Sequence, residues 1–168
     1  MKKIVFGLLV FGFATQLMFS QIVDLPEVNI TVNYKYLNSI NVENQDVDLA
    51  VKELEEEVAF FNLKESELYK DEYRTYYVSF YIPEGKIVAA YDKDGKILRT
   101  IERFKNIKLP KLVTLSIVEK YPEWLIGDDA YKVEYHDETG IAKKQYKVKL
   151  QNMNKKMTVK IDEKGEFM

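Results

Sequence analysis

The residues able to do chemistry are few and scattered. His136 is the one histidine, and the chain has no cysteine. A lone imidazole with no thiolate beside it makes a poor transition-metal site. No G-x-S-x-G turn supplies a nucleophile for it to activate. Asp92, Asp94 and Gly95 resemble a fragment of a calcium loop, which also needs an acid before them and a closing glutamate. Those two places hold Ala90 and Ile101, whose side chains cannot ligate. The related run from Asp162 to Gly165 has Lys164 where an acid should stand. Two hairpin turns explain both runs better than metal does. The acidic pairs Asp71/Glu72, Asp128/Asp129 and Asp137/Glu138 fall in polar connectors, where solvated charge is the ordinary reading. A glycosidase pair would need a cleft, of which the sequence gives no sign. With no P-loop and no G-x-G-x-x-G run either, the expectation is no catalytic residue, no metal and no cofactor.

The remaining candidates are contact residues. Tyr76, Val78, Phe80 and Ile82 share one face of a strand expected over 73–82, and Tyr77, Ser79 and Tyr81 share the other. Arg99 and Arg103, on a strand expected over 96–104, can lie near the second set. Tyrosine and arginine on an open sheet suit a protein-binding surface. The alternative is that this face packs on the N-terminal strand or on the second half of the chain. Trp124, just after Pro122, is expected to plug the core rather than anchor a ligand.

These residues need a frame. Val28 to Tyr36 alternates apolar and polar and reads as a half-buried strand, with 38–46 as a polar connector. Val47, Val51, Leu54, Val58 and Phe61 form a helical stripe, with Asp46 placed to cap its start and Glu53, Glu55, Glu56 and Glu57 as a solvated acidic region. Pro83-Glu84-Gly85 and Asp92 to Gly95 are turns between strands. A second helix opens at Leu109-Pro110, shows a broad apolar side (Leu112, Val113, Leu115, Ile117, Val118) and stops before Pro122. Three more strands follow, about 130–136, 141–150 and 156–161. Their inward sets are Tyr131/Val133/Tyr135, Tyr146/Val148/Leu150 and Met157/Val159/Ile161. Their wet sets hold Lys132, Glu134 and His136; Lys143, Gln145, Lys147 and Lys149; and Lys156, Thr158 and Lys160. Helix then three strands occurs twice, and Val88 to Leu98 mirrors Thr158 to Met168. The expected fold is α+β: two tandem helix-plus-antiparallel-meander repeats, about 28–104 and 105–168, forming one antiparallel sheet layer covered by helices.

Lys2 and Lys3 precede an apolar run from Ile4 to Phe19, and small Ser20 suits the position before a cut. This is the layout of a secretory signal peptide, too short to span a bilayer. The expected division is a leader over 1–20 and a single domain over 21–168, periplasmic or secreted. Without cysteine there is no lipid attachment at an N-terminal cysteine, so no membrane anchor is expected after cleavage. Losing Lys2 and Lys3 leaves 23 basic against 27 acidic residues, a net charge of −4, which does not suit nucleic acid as a partner.

The doubled unit, with turns such as Tyr91-Asp-Lys-Asp-Gly-Lys-Ile97 and the helix from Leu109-Pro-Lys to Tyr121-Pro-Glu-Trp124, resembles the PepSY-like group that shares the fold of the β-lactamase inhibitor protein. The resemblance implies an exported protein of Bacteroidetes-type bacteria, with no known catalytic residues, that acts by binding or inhibiting proteins. The resulting expectation is a non-enzymatic module recognising a protein or peptide through Tyr77, Ser79, Tyr81 and Arg99. The alternative is a small-molecule or calcium-binding envelope protein, or an enzyme with an unrecognised site.

Overall fold

The structure is a computed structural model and describes residues 32–41 and 46–168. The expected leader over 1–20 and the first residues of the expected N-terminal strand, 28–31, lie outside the described residues.

From Thr75 onward, alternation of apolar and polar residues builds a sheet. Among the described residues six strands pair antiparallel in sequence order: β1 Thr75–Ile82, β2 Gly85–Asp92, β3 Ile97–Lys105, β4 Leu125–His136, β5 Ile141–Asn152 and β6 Lys155–Ile161. With helices α1 Tyr34–Ile40, α2 Leu49–Phe60 and α3 Lys111–Lys120, the class is α+β. In β1, Tyr76, Val78 and Phe80 are buried while Thr75, Tyr77, Ser79 and Tyr81 face solvent. The inward sets of β4, β5 and β6 are those the alternation predicts, Met157 being half-buried.

The buried face is held by side chains in register. Phe104, Tyr131 and Tyr146 oppose one another across β3, β4 and β5. Their rings stack at 6.1 and 4.5 Å between centroids, a ladder of cross-strand aromatic pairs. Val51, Leu54 and Val58 of α2 join this core, and the Tyr91 hydroxyl donates to the Val58 carbonyl at 2.7 Å, tying α2 to β2. Gly85 opens β2 because the sheet passes so close: a Cβ there would lie 2.1 Å from the Arg103 carbonyl oxygen.

The N-terminal part departs from the sequence reading. Tyr34 to Ile40 is helix, not the end of a strand followed by a connector. Alternation over 28–36 is one pattern available to this stretch. The other is Tyr36 and Ile40 four residues apart, and both are buried to 1% exposure, the i, i+4 face of a helix. Asn33 is not on a wet face. It is buried, its amide donates to the carbonyls of Ala59 and Gly95 at 3.3 and 3.1 Å, and its carbonyl accepts from the Ile97 amide at 2.7 Å.

Helix α2 begins at Leu49, and its cap is Asp48 rather than Asp46. Asp48 Oδ1 accepts from the Ala50 amide at 3.0 Å, whereas Asp46 pairs with Lys108 at 2.7 Å. The acidic region is not all solvated, because Glu55 is 2% exposed. The broad apolar side of α3 is also narrower than its composition suggests. Val113 and Ile117 are buried, but Leu112, Leu115 and Val118 face solvent. Trp124 packs partly buried against the core with its ring beside Tyr121.

The two Asp-x-x-Gly turns match bond for bond. Asp92 Oδ1 accepts from the amides of Asp94 and Lys96 at 2.9 and 3.0 Å, and Asp162 Oδ1 accepts from those of Lys164 and Glu166 at 2.9 and 2.8 Å. Gly95 and Gly165 take φ of 80° and 84°, the left-handed region that glycine enters without strain. After the first turn comes a full strand; after the second, Phe167 makes a single bridge to Ile161. These turns align β2 with β6, whereas the order helix-strand-strand-strand aligns β2 with β5. The two internal correspondences are thus out of phase by one strand.

Candidate binding face

The register places the contact residues. Tyr77 pairs with Ala90, Ala90 with Arg99, and Arg99 with His136. Two residues along, Ser79, Val88, Ile101 and Glu134 form a second row. A third row runs Tyr81, Lys86, Arg103 and Lys132. Tyr77 and Arg99 therefore share a row two strands apart, about 10 Å between backbones, and Tyr81 shares one with Arg103. All lie on the side of the sheet away from the helices. Tyr77 is 76% and Tyr81 66% exposed, so no described element packs over that end. His136 is exposed at the end of β4.

The same face continues across β5 and β6. Lys105 opposes Ala130, Ala130 opposes Lys147, and Lys147 opposes Lys160. A half-open depression of about 400 Å³ lies here, between the end of β3, the irregular start of β4, and β5. Lys105, Asn106, Asp128, Lys147 and Lys149 line it. Lys149 pairs with Asp128 at 2.9 Å and Lys132 with Glu134 at 2.7 Å. Hydrogen bonding to Lys149 lowers the Asp128 carboxyl, and hydrogen bonding to Lys132 lowers that of Glu134. The other cations of this face (Lys86, Arg103, Lys105, Lys147, Lys160) have no ion pair among the described residues.

A polar cluster in the core escaped the sequence reading. Glu102 Oε1 accepts from the Tyr36 hydroxyl and the Thr100 hydroxyl, each at 2.8 Å. Its Oε2 meets no donor in good hydrogen-bond geometry, although the Glu55 carboxyl approaches closely enough to interact. Burial first, then the Glu102 charge, pushes the Glu55 carboxyl well up, while burial raises Glu102 against the pull of its donors. Burial thus favours the neutral form of both carboxyls, that of Glu55 the more strongly. Lys144, buried on the inner side of β5, donates to the Ile40 carbonyl at 2.5 Å, and burial lowers its ammonium. Two carboxyls beside a lysine could do acid-base work. Here Glu102 is wholly buried, and the cluster is turned into the core between α1, α2 and the sheet. The signal for Glu55 was present: position 55 lies four after Val51 and three before Val58, on the apolar stripe.

Among the described residues no three acidic or histidine side chains converge as a metal site. The Asp92 carboxylate is already committed to its own turn. No helix among them is long and apolar enough to cross a membrane.

No family model matches the chain, and no curated protein does. Among solved structures it is similar to a BLIP-like protein from Bacteroides fragilis, at 17% identity over 59% of this chain and 68% of that one, with a TM-score of 0.32. A likeness at that level carries no argument about function.

Proposed function

We propose that this chain is an exported, non-enzymatic binding module that recognises a protein or peptide partner through the open face of its sheet. One observation carries the reading: Tyr77 and Tyr81 stand largely exposed, in register with Arg99 and Arg103, on a face the helices leave bare. Exposed tyrosine flanked by arginine is the composition of interface centres, since both supply large contact area with a polar tip. The strands fix the spacing, so the surface is formed before binding and little ordering cost is incurred on contact.

The test is capture from envelope extract by the full chain and by a Tyr77→Ala/Tyr81→Ala variant. The variant should recover markedly less of a specific partner; equal recovery removes this face from the case. Export belongs to the same proposal, and N-terminal sequencing of the secreted or periplasmic protein should read from Gln21. Membership of the PepSY-like group, and a duplicated helix-plus-meander origin, are the remaining parts of the reading. The bond-for-bond match of the two turns supports duplication, with the unit in phase with the turns rather than with the helices.

A further inference from the structure

The rows of the sheet put like charges directly opposite one another. Lys86 faces Arg103 and Arg103 faces Lys132 across three adjacent strands. Lys147 faces Lys160 on the last two. Neighbouring strands lie about 4.8 Å apart, and like charges at that spacing destabilise a sheet. Their placement is not forced by composition. The chain carries 27 acidic against 25 basic residues, enough to alternate signs on every row. Instead the acids collect elsewhere, as on α2 with Glu53, Glu56 and Glu57. The chain is slightly negative overall and its open sheet face is positive.

We infer that this face is built to receive an acidic segment of a protein partner, whose carboxylates would sit between the opposed cations of β2–β3–β4 and β5–β6. The inference rests on the face assigned above and adds the chemistry of what binds there. A protein segment fits better than a uniformly charged phosphate chain for two reasons. Glu134 and Asp128 break the basic field into separate groups of cations, which carboxylates on flexible glutamate side chains can reach one by one and phosphates fixed along a stiff duplex cannot. Tyr77, Tyr81, Val88 and Ile101 supply aromatic and apolar area beside the cations, which carboxylate-bearing peptides with mixed side chains can also use.

The experiment measures fluorescence anisotropy of a labelled ten-residue glutamate peptide against the full chain. Labelled oligolysine and a short DNA duplex of similar length serve as comparators at the same ionic strength. The glutamate peptide should bind, weaken about tenfold between low and physiological salt, and weaken about tenfold again in an Arg103→Glu/Lys147→Glu variant. Glu57→Gln on the helical side should leave it unchanged. A second readout is independent of any ligand. Relief of the opposed charges should raise the melting temperature of the Arg103→Glu/Lys147→Glu variant by about 1–4 °C, so binding and stability move in opposite directions. No binding of oligoglutamate at low salt, binding indifferent to the charge reversal, or tighter binding of DNA than of oligoglutamate overturns the inference. If envelope capture depends on Tyr77 and Tyr81 while oligoglutamate fails, the face stands and its acidic chemistry falls.

Discussion

At the scale of single residues, the least expected group is Glu55. Its carboxyl is raised because it is buried against Glu102, so it holds a proton that the unfolded chain would release near pH 4.3. The sign of the consequence is fixed by linkage. A raised folded value means the stabilisation is complete below the unfolded value and is lost as pH climbs toward the folded one. Glu55→Gln keeps a neutral donor of similar shape and removes the titration. The melting temperature of the native chain relative to this variant should therefore fall steadily from pH 4.5 to 8, measured by scanning both proteins at several pH values. A difference that does not change with pH would show that Glu55 is ionised in the folded state. The sequence made half of this legible. The helical stripe that predicted Val51, Leu54 and Val58 as core includes position 55, and a glutamate there reads as wet only because charge is the cheaper guess. Its partners, Tyr36 and Glu102, lie 19 residues before it and 47 after, and no local pattern joins them.

Among the elements, the strands were the most readable, because a period of two with one face covered leaves little freedom of register. The tyrosine face on β1 followed from that alternation alone, whereas the alignment of Arg99 and Arg103 with it needed the strand pairing. The charge rows needed it too, because opposing Lys86 to Arg103 and Lys132 requires the pairing of three strands. Element ends and the short helix α1 were misread where two periods overlap. Helix α3 shows what holds a weakly buried element. Only Val113 and Ile117 are buried on it, and the β6 turn presses against its other contact, with a Cβ on Gly165 falling 2.3 Å from the Ser116 hydroxyl. Gly165→Ala would meet that hydroxyl and would also force a positive φ on alanine. A loss of about 1–3 kcal/mol is expected, read from urea unfolding monitored by Trp124, which lies just beyond the helix. A neutral result would mean that the turn moves away from α3 freely.

For the molecule as a whole, the sheet is a pure meander, so each strand pairs with its neighbour in sequence. Helix α1 breaks that rule. Asn33 bonds to Gly95 and Ile97, Lys35 pairs with Asp137 at 3.2 Å, and Lys144 reaches back to Ile40. These are bonds between residues 62 to 104 positions apart. The sheet can assemble by closing short loops one hairpin at a time, whereas α1, tied to α2 through Asn33 and Ala59, completes its other bonds only when β3, β4 and β5 are in place, and loop closure of that length carries its entropy cost up front. The molecule then has an order of events built into its connectivity: hairpins early, α1 last on the way in and first on the way out. Amide hydrogen exchange should show α1 opening at lower free energy than β2 to β5. Asn33→Ala, which strips the Ile97 amide of its buried acceptor at a cost of about 1–3 kcal/mol, should widen that gap. The same last-closing helix carries Tyr36, one of the two hydroxyls that donate to Glu102, so the hydrogen bonding of the core acid pair is completed by the piece of chain that arrives latest.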